Sequence, residues 1–357
     1  MYYKMEEYKL KILKLEEKGY IKNLLDKCIL NDIHCHPDYL SIFQEYQGNN
    51  AIYFYFGNEE NYIIIPYFKR PIKILGFNEY FDLVSPWYYG GPIHNIKDEK
   101  LLQNIFSNFT KKLNEYCINN NIITEFQRLN PILRNYELYK NDPSLYFDRN
   151  IVYIDLTKDI ETINKEYTRH TRKNLNKAKR NRLRVYSDES EKGMSKFIQV
   201  YTESMKKKNA REFYLFNDVF FKNFFRKFKN EIKLFHVEYK GKIVCSSAEL
   251  GKYGVLHDYL RGVNSEHLLL RPNDILIDEI IRWAKSQGYK YFSLGGGASS
   301  TVDDGIFRFK KSFSSTTAKF YVYKKIHNLD KYKELCQVKG KNNLEFEKAQ
   351  FFPEYII

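Results

Sequence analysis

The sequence predicts an α/β chain with mixed sheets, folded as two tandem units. Three observations carry this: strands and helices alternate throughout, one order of elements recurs, and 357 residues can bury two cores of ordinary size. In the first half, apolar runs at residues 52–56 and 62–67 flank a polar turn at 57–61 and predict a hairpin. Strands are expected near 71–77 and 80–84, then a Gly- and Pro-containing loop at 85–92. Leu101, Leu102, Ile105, Phe109, Leu113 and Tyr116 recur at helical spacing and predict a helix over 98–119, before a strand at 122–129.

The second half repeats the plan. A strand at 151–156 leads to a long helix over 159–180, a strand at 183–187 and helices at 191–206 and 217–229. Segments 233–239, 242–249 and 253–260, joined by short Gly-containing turns, predict an antiparallel meander. A helix over 274–286, capped by Asn273 or Asp274 and closed at Gly288, crosses to a strand at 289–294, and a late strand covers 319–325. The boundary is placed near residue 150. The expected parts are 1–150 with a leading amphipathic helix over residues 1–20, 151–328 carrying the active-site motifs, and 329–357 as a C-terminal helix and tail.

No apolar run reaches the roughly 18 residues that span a bilayer, and the charged N-terminal stretch has no apolar signal core. A soluble, cytoplasmic protein is expected. The odd, scattered Cys28, Cys35, Cys117, Cys245 and Cys336 fit reduced thiols. Cys28 and Cys35, with His34 and His36 beside them, have neither the spacing nor the second ligand pair of a zinc site, so no metal is expected.

Lys and Arg exceed Asp and Glu by 58 − 44 = 14, which favours an anionic partner. Between residues 167 and 186 there is no acid, while Arg169, Arg172, Lys173, Lys177, Lys179, Arg180, Arg182 and Arg184 supply eight cations. Two readings stand. One is a solvated helix, acidic at its start and basic afterwards, matched to its dipole. The other is a surface for a phosphate-rich ligand such as tRNA or a nucleotide-linked precursor.

Residues 288–313, GYKYFSLGGGASSTVDDGIFRFKKSF, concentrate the chemistry. Gly295, Gly296 and Gly297 directly after a strand leave backbone N–H groups open to close approach. Arg308, Lys310 and Lys311 follow on a frame of Phe307, Phe309 and Phe313, where cations can meet a developing oxyanion or a phosphate. The alternative for the same residues is a tight turn and an amphipathic helix, with Asp303 and Asp304 as a turn or cap. On the third meander strand His257 is a proton acceptor or a packed histidine. Tyr214, Tyr259 and Arg261 line an acceptor groove or belong to the core.

These residues, with three more segments, carry a family resemblance. Phe309-Lys310-Lys311-Ser312-Phe313 resembles the FKxxF element of the Fem-type (FemABX) nonribosomal peptidyl transferases, relatives of the GNAT-like acyltransferases. Ser85-Pro86-Trp87-Tyr88-Tyr89-Gly90-Gly91-Pro92 is similar to their N-domain SPYGYGGP loop. Arg172-Lys173-Asn174-Leu175-Asn176-Lys177-Ala178 resembles their RxNIxKA helix, and residues 201–216 the helix-loop that follows. The likeness spans roughly residues 30–330. It implies two tandem GNAT-like (acyl-CoA N-acyltransferase) domains, the second opening a donor cleft where neighbouring strands splay. It implies that Lys310 neutralises the transition state or grips donor phosphates, and that Trp87 and Tyr89 shape an acceptor groove. Gly295, Gly296, Gly297, Arg308, Phe309 and Lys311 are the expected donor-binding set; Arg172, Lys173 and Lys177 are expected to meet acceptor or phosphate.

Acyl transfer to an amine needs no protein nucleophile, and none is evident: there is no GxSxG and no Cys-His motif. The Q/R-x-x-G-x-G/A pyrophosphate loop of acetyl-CoA enzymes is replaced by Leu268-Leu269-Leu270-Arg271-Pro272-Asn273-Asp274, whose Asp274 is expected to repel phosphate. The resemblance therefore implies aminoacyl-tRNA as donor, without a bound cofactor, and an amine of a nucleotide- or lipid-linked peptidoglycan-type envelope precursor as acceptor. The alternatives are an acyl-CoA-dependent N-acyltransferase acting on an amino sugar of a surface polysaccharide, and a non-catalytic RNA-binding module.

Overall fold

The structure is a computed structural model that describes residues 8–301, 303–341 and 351–356. The chain forms two compact units, Met1–Asp148 with Phe320–Ile357, and Arg149–Lys319.

The first unit begins with β1 (Lys9–Lys14), α1 (Lys18–Asp26), α2 (Pro37–Gln47), β2 (Asn50–Gly57), β3 (Tyr62–Pro71), β4 (Phe81–Val84) and the short β5 (Ile93–His94). It continues with α3 (Glu99–Asn119) and β6 (Ile122–Arg128). Strands β1 to β4 pair antiparallel in sequence order, α3 crosses over, and β6 returns parallel to β4. Asp98 caps α3 by accepting from the Leu101 amide, and the buried Ile105, Phe109 and Leu113 seat the helix on the sheet.

The amphipathic helix expected over residues 1–20 does not form in its described part. Leu10 and Ile12 alternate with exposed Lys9 and Lys11, a period of two that suits the edge strand β1. Residues 1–7 lie outside the described residues. Nor is there a strand at 72–77: β3 runs on through Arg70 to Pro71, and the following loop closes with the Ile72 amide donating to the Tyr80 carbonyl.

The second unit takes strand residues from β7 (Leu145–Asp155), followed by α4 (Ile160–Glu166), α5 (Arg169–Arg180), β8 (Arg184–Ser187), α6 (Glu191–Lys207) and α7 (Asp218–Lys227). Then come β9 (Ile232–Tyr239), β10 (Lys242–Lys252), β11 (Val255–Val263), α8 (Pro272–Ser286), β12 (Tyr291–Gly295) and α9 (Gly305–Lys311). The winding repeats that of the first unit: β8 to β11 pair antiparallel, α8 crosses over, and β12 lies parallel to β11. In each unit a further strand closes the sheet antiparallel to that returning strand: β7 beside β12, and β13 (Thr317–Ile326) beside β6. Helix α10 (Leu329–Val338) follows, and Tyr332 packs with Phe352 and Tyr355.

The long helix expected over 159–180 is two helices. Tyr167 and Thr168 are extended; Thr168 caps α5, and the Tyr167 hydroxyl donates to Asp278 at 3.0 Å. This removes half of the dipole match: the basic last turn of α5, Lys177, Lys179 and Arg180, still suits the dipole, but its start does not. The acids Glu161 and Glu166 belong to α4, while α5 opens on Arg169 with no acid in its first turn.

Candidate active site

The site grows from a divergence of two parallel strands. β11 and β12 pair only at Val255 with Tyr291, Leu256 with Phe292, and His257 with Ser293. Beyond these pairs β11 continues through Asp258, Tyr259, Leu260 and Arg261, while β12 ends at Gly295. Unpaired parallel ends leave a gap at the carboxyl edge of the sheet.

A bulge decides which side chains face which way. Glu249 of β10 pairs with Asp258, but the preceding Ala248 pairs with Leu260, so Tyr259 is an extra residue on β11. Three residues apart on a regular strand means opposite faces; the extra residue restores one face to Asp258 and Arg261. They form an ion pair at 2.9 Å. Ser247 pairs with Arg261 and so shares that face with Glu249. His257 alternates to the other face, and Tyr259 stacks on Phe224 of α7 with ring centroids 5.3 Å apart.

Asp304 caps α9, accepting from the amides of Ile306, Phe307 and Ser299, and this holds its carboxyl below the usual range. Phe313 is fully buried and Phe309 packs edge-on against it, which seats the helix on the core. Lys310, part-buried on α9, donates to the Gly296 carbonyl at 2.7 Å. Burial pushes its ammonium down to about 8; nearby Arg261 acts in the same direction, and Asp258 and Asp304 oppose it. Lys310 is therefore grouped with Asp258 and Arg261, whereas His257 stands on the opposite side of the strand.

The three glycines have individual reasons. Gly295 has a φ of +75°. A Cβ on Gly297 would lie 2.4 Å from an Asp304 oxygen, and one on Gly296 would lie 2.8 Å from the Arg149 side chain, whose guanidinium donates to the Gly297 carbonyl at 3.1 Å. Protein atoms fill the room beside Gly296 and Gly297; the glycines let the loop close over α9 and bring a carbonyl to Lys310.

Arg308 takes a different position. It lines a cavity of about 460 Å³ with His170, Asn174, Leu268, Arg271, Phe309 and Ser312, at the start of α8. Arg271, in a left-handed conformation, is the N-cap residue, and Pro272 opens the helix, so neither Asn273 nor Asp274 caps it. Asp274 is buried, accepts from Asn174 at 2.9 Å, and has its carboxyl raised by burial. The phosphate repulsion expected of Asp274 is weakened accordingly, and the cationic groups at the cavity are Arg271 and Arg308. Helix α5 is fixed beside it: the Thr171 hydroxyl bonds Ser312, and the Thr168 amide donates to the Ser312 carbonyl at 2.9 Å. Arg172, Lys173 and Lys177 are all exposed on α5.

The remaining expected residues are dispersed. Lys311 is exposed at the end of α9. Tyr214 lies on the surface beside Phe213, and its carbonyl accepts from Tyr201 at 2.9 Å. In the first unit Tyr89 is buried against Phe320, and the Trp87 carbonyl accepts from Tyr39 at 2.8 Å. There Asp32 accepts from His34, whose ring stacks on Tyr88. Sequence reasoning passed over Glu249 and His170. Glu249 left a signal: it is the one charged residue between Lys242 and Lys252 on an otherwise apolar and small-residue strand.

Comparisons with known proteins agree with this fold. Residues 165–311 match the family described as Acetyltransferase (GNAT) domain. FemX has the same fold over 91% of this chain and 99% of its own, with a TM-score of 0.65 at 11% identity. Residues 165–311 thus carry a GNAT-type acyltransferase domain, in a chain with the fold of FemX. The chain also resembles the C-terminal domain of a putative lysylphosphatidylglycerol synthetase from Agrobacterium fabrum, with a TM-score of 0.55, 15% identity, and coverage of 91% and 96%. A conserved protein of unknown function from Bacteroides thetaiotaomicron aligns with a TM-score of 0.57 at 10% identity, over 88% and 98% of the two chains. At such identities the likeness is one of fold. No curated protein matches the sequence. Among the described residues, no helix is long and apolar enough to cross a membrane.

Proposed function

We propose that this acyltransferase moves an aminoacyl group from aminoacyl-tRNA to an amine of a cell-envelope precursor. The observation that carries the reading is the placement of Lys310, a part-buried cation held on the Gly296 carbonyl where β11 and β12 diverge. A carbonyl entering that gap meets a charge already in place, which stabilises the oxyanion formed on amine attack. The acceptor amine displaces the donor's leaving oxygen directly, so no covalent enzyme intermediate is required.

The choice of donor rests on α5 and the cavity beside it. Basic groups at the N-terminus of a helix cost stability against its dipole, and α5 exposes Arg169, Arg172 and Lys173 there. A polyanion offsets that cost. Arg271 and Arg308 then continue the positive surface into the cavity at the start of α8. The C-terminal domain of the putative lysylphosphatidylglycerol synthetase, a name that denotes a lysyl-bearing lipid, shares the fold.

The second reading, an acyl-CoA-dependent N-acyltransferase, draws on the acetyltransferase family match and on the same cavity, which suits a diphosphate. Thermal melting separates them. Stabilisation by charged tRNA that fades steeply with salt supports the tRNA reading; stabilisation by acetyl-CoA alone supports the other. Binding of tRNA without turnover of any donor contradicts both.

A further inference from the structure

Glu249 is buried with no exposed surface, and neither of its carboxylate oxygens has a hydrogen-bond partner among the described residues. It faces Asp258 directly across the β10–β11 ladder, on the side of the sheet that carries Arg261. Two acids therefore share one guanidinium, and Asp258 already takes it at 2.9 Å. Two nearby cations are already held: Lys233 of β9, opposite Glu249 on its second flank, bonds Glu189 at 3.0 Å, and Lys310 of α9 bonds the Gly296 carbonyl. Ser247, two residues back on the same face, has a hydroxyl equally without a partner.

A buried carboxylate without a partner is strongly disfavoured if charged, so it persists as the neutral acid or awaits a cation. Burial first, and then the charge of Asp258, push the Glu249 carboxyl well above its ordinary range, against Arg261 and the nearby Ser247 hydroxyl. Asp258 stands at the first position beyond the last β11–β12 pair, at the mouth of the gap, with Glu249 behind it.

We infer that Asp258 and Glu249 form a binding site for an ammonium group carried by the acyl donor, the α-ammonium of an aminoacyl residue. This rests on the aminoacyl-transfer reading of the same gap and adds the device that separates an aminoacyl from a plain acyl group. When the ammonium enters, the Glu249 carboxyl gives its proton to solvent and the two opposite charges pair. Binding is thus coupled to proton release, and affinity rises with pH.

The test uses the full-length protein and two compounds that differ only in the ammonium, 3′-glycylamino-3′-deoxyadenosine and 3′-acetylamino-3′-deoxyadenosine. Calorimetry is run in buffers of different ionisation enthalpy. The expected result is a preference of about tenfold or more for the glycyl compound, with proton release. In Glu249→Gln, which keeps the shape of the neutral acid, the preference and the proton release both disappear while the acetyl compound binds as before. Unchanged acetyl binding also reports that the variant is folded. Equal binding of the two compounds to the wild type, or a preference that survives in Glu249→Gln, overturns the ammonium site and leaves aminoacyl transfer standing. If neither adenosine compound binds and acetyl-CoA does, both the site and the aminoacyl reading fall.

Discussion

Asp258 and Arg261 form an ion pair at 2.9 Å although they stand three positions apart on one strand. The extra residue Tyr259 makes this possible by turning Arg261 back to the face of Asp258. The pair is an electrostatic floor beneath Lys310, and its two members act on the lysine in opposite senses. Removing either member therefore shifts Lys310 predictably. Asp258→Asn lowers its pKa further, and Arg261→Gln raises it.

Replacing Lys310 tests its catalytic role. Lys310→Ala is expected to slow transfer by about 10²–10³-fold, the usual effect of losing one donor to an oxyanion, with little change in donor affinity. Single-turnover rates alongside equilibrium binding measure the two effects separately.

The pH profile carries a second signature. The protonated lysine is the form that stabilises the oxyanion, and its ammonium is pushed down to about 8. Activity is therefore retained below that pH and lost as pH rises through it. In Lys310→Arg, whose guanidinium stays charged, the falling limb near pH 8 is absent from whatever activity remains.

Stability and RNA binding should separate on α5. Arg169→Glu with Lys173→Glu replaces cations by acids in the first turns, so thermal stability is expected to rise, by about 0.3–1 kcal/mol per position. Affinity for tRNA should fall, and the salt dependence of binding should become shallower. A solvated helix without a ligand would show the gain in stability with no loss of binding.

The loop above α9 is a structural device, and Gly297 and Asp304 test it together. Asp304→Ala removes the cap and costs about 1 kcal/mol; Gly297→Ala drives a methyl group to within 2.4 Å of the same carboxylate and costs at least as much. Chemical denaturation measures both. Each variant also loosens Lys310 and lowers the transfer rate.

Much of the architecture was legible because periodicity and capping are local. The Asp98 cap, the apolar stripe of α3 and the 57–61 turn each point to one structure, and the FKxxF lysine sits where the fold opens. The misreadings arose where a longer-range contact decided. Residues 159–180 read as one helix because nothing local announces that Tyr167 is needed by Asp278 and Phe313. His257 reads as a proton acceptor or a packed histidine, and strand parity sets it on the face away from Asp258. The bulge at Tyr259 has no signature in composition, so the pairing of Asp258, Arg261 and Glu249 was invisible. Glycines 295–297 were read as room for a ligand, whereas Arg149 and Asp304 fill the space beside two of them.

The most direct test of the central claim is a crystal structure of the protein with 3′-glycylamino-3′-deoxyadenosine bound. The acyl carbonyl oxygen is expected in the gap beyond His257 and Ser293, within about 3 Å of the Lys310 ammonium, which turns to it from Gly296. An acyl group bound elsewhere, with Lys310 still on the Gly296 carbonyl, would contradict it.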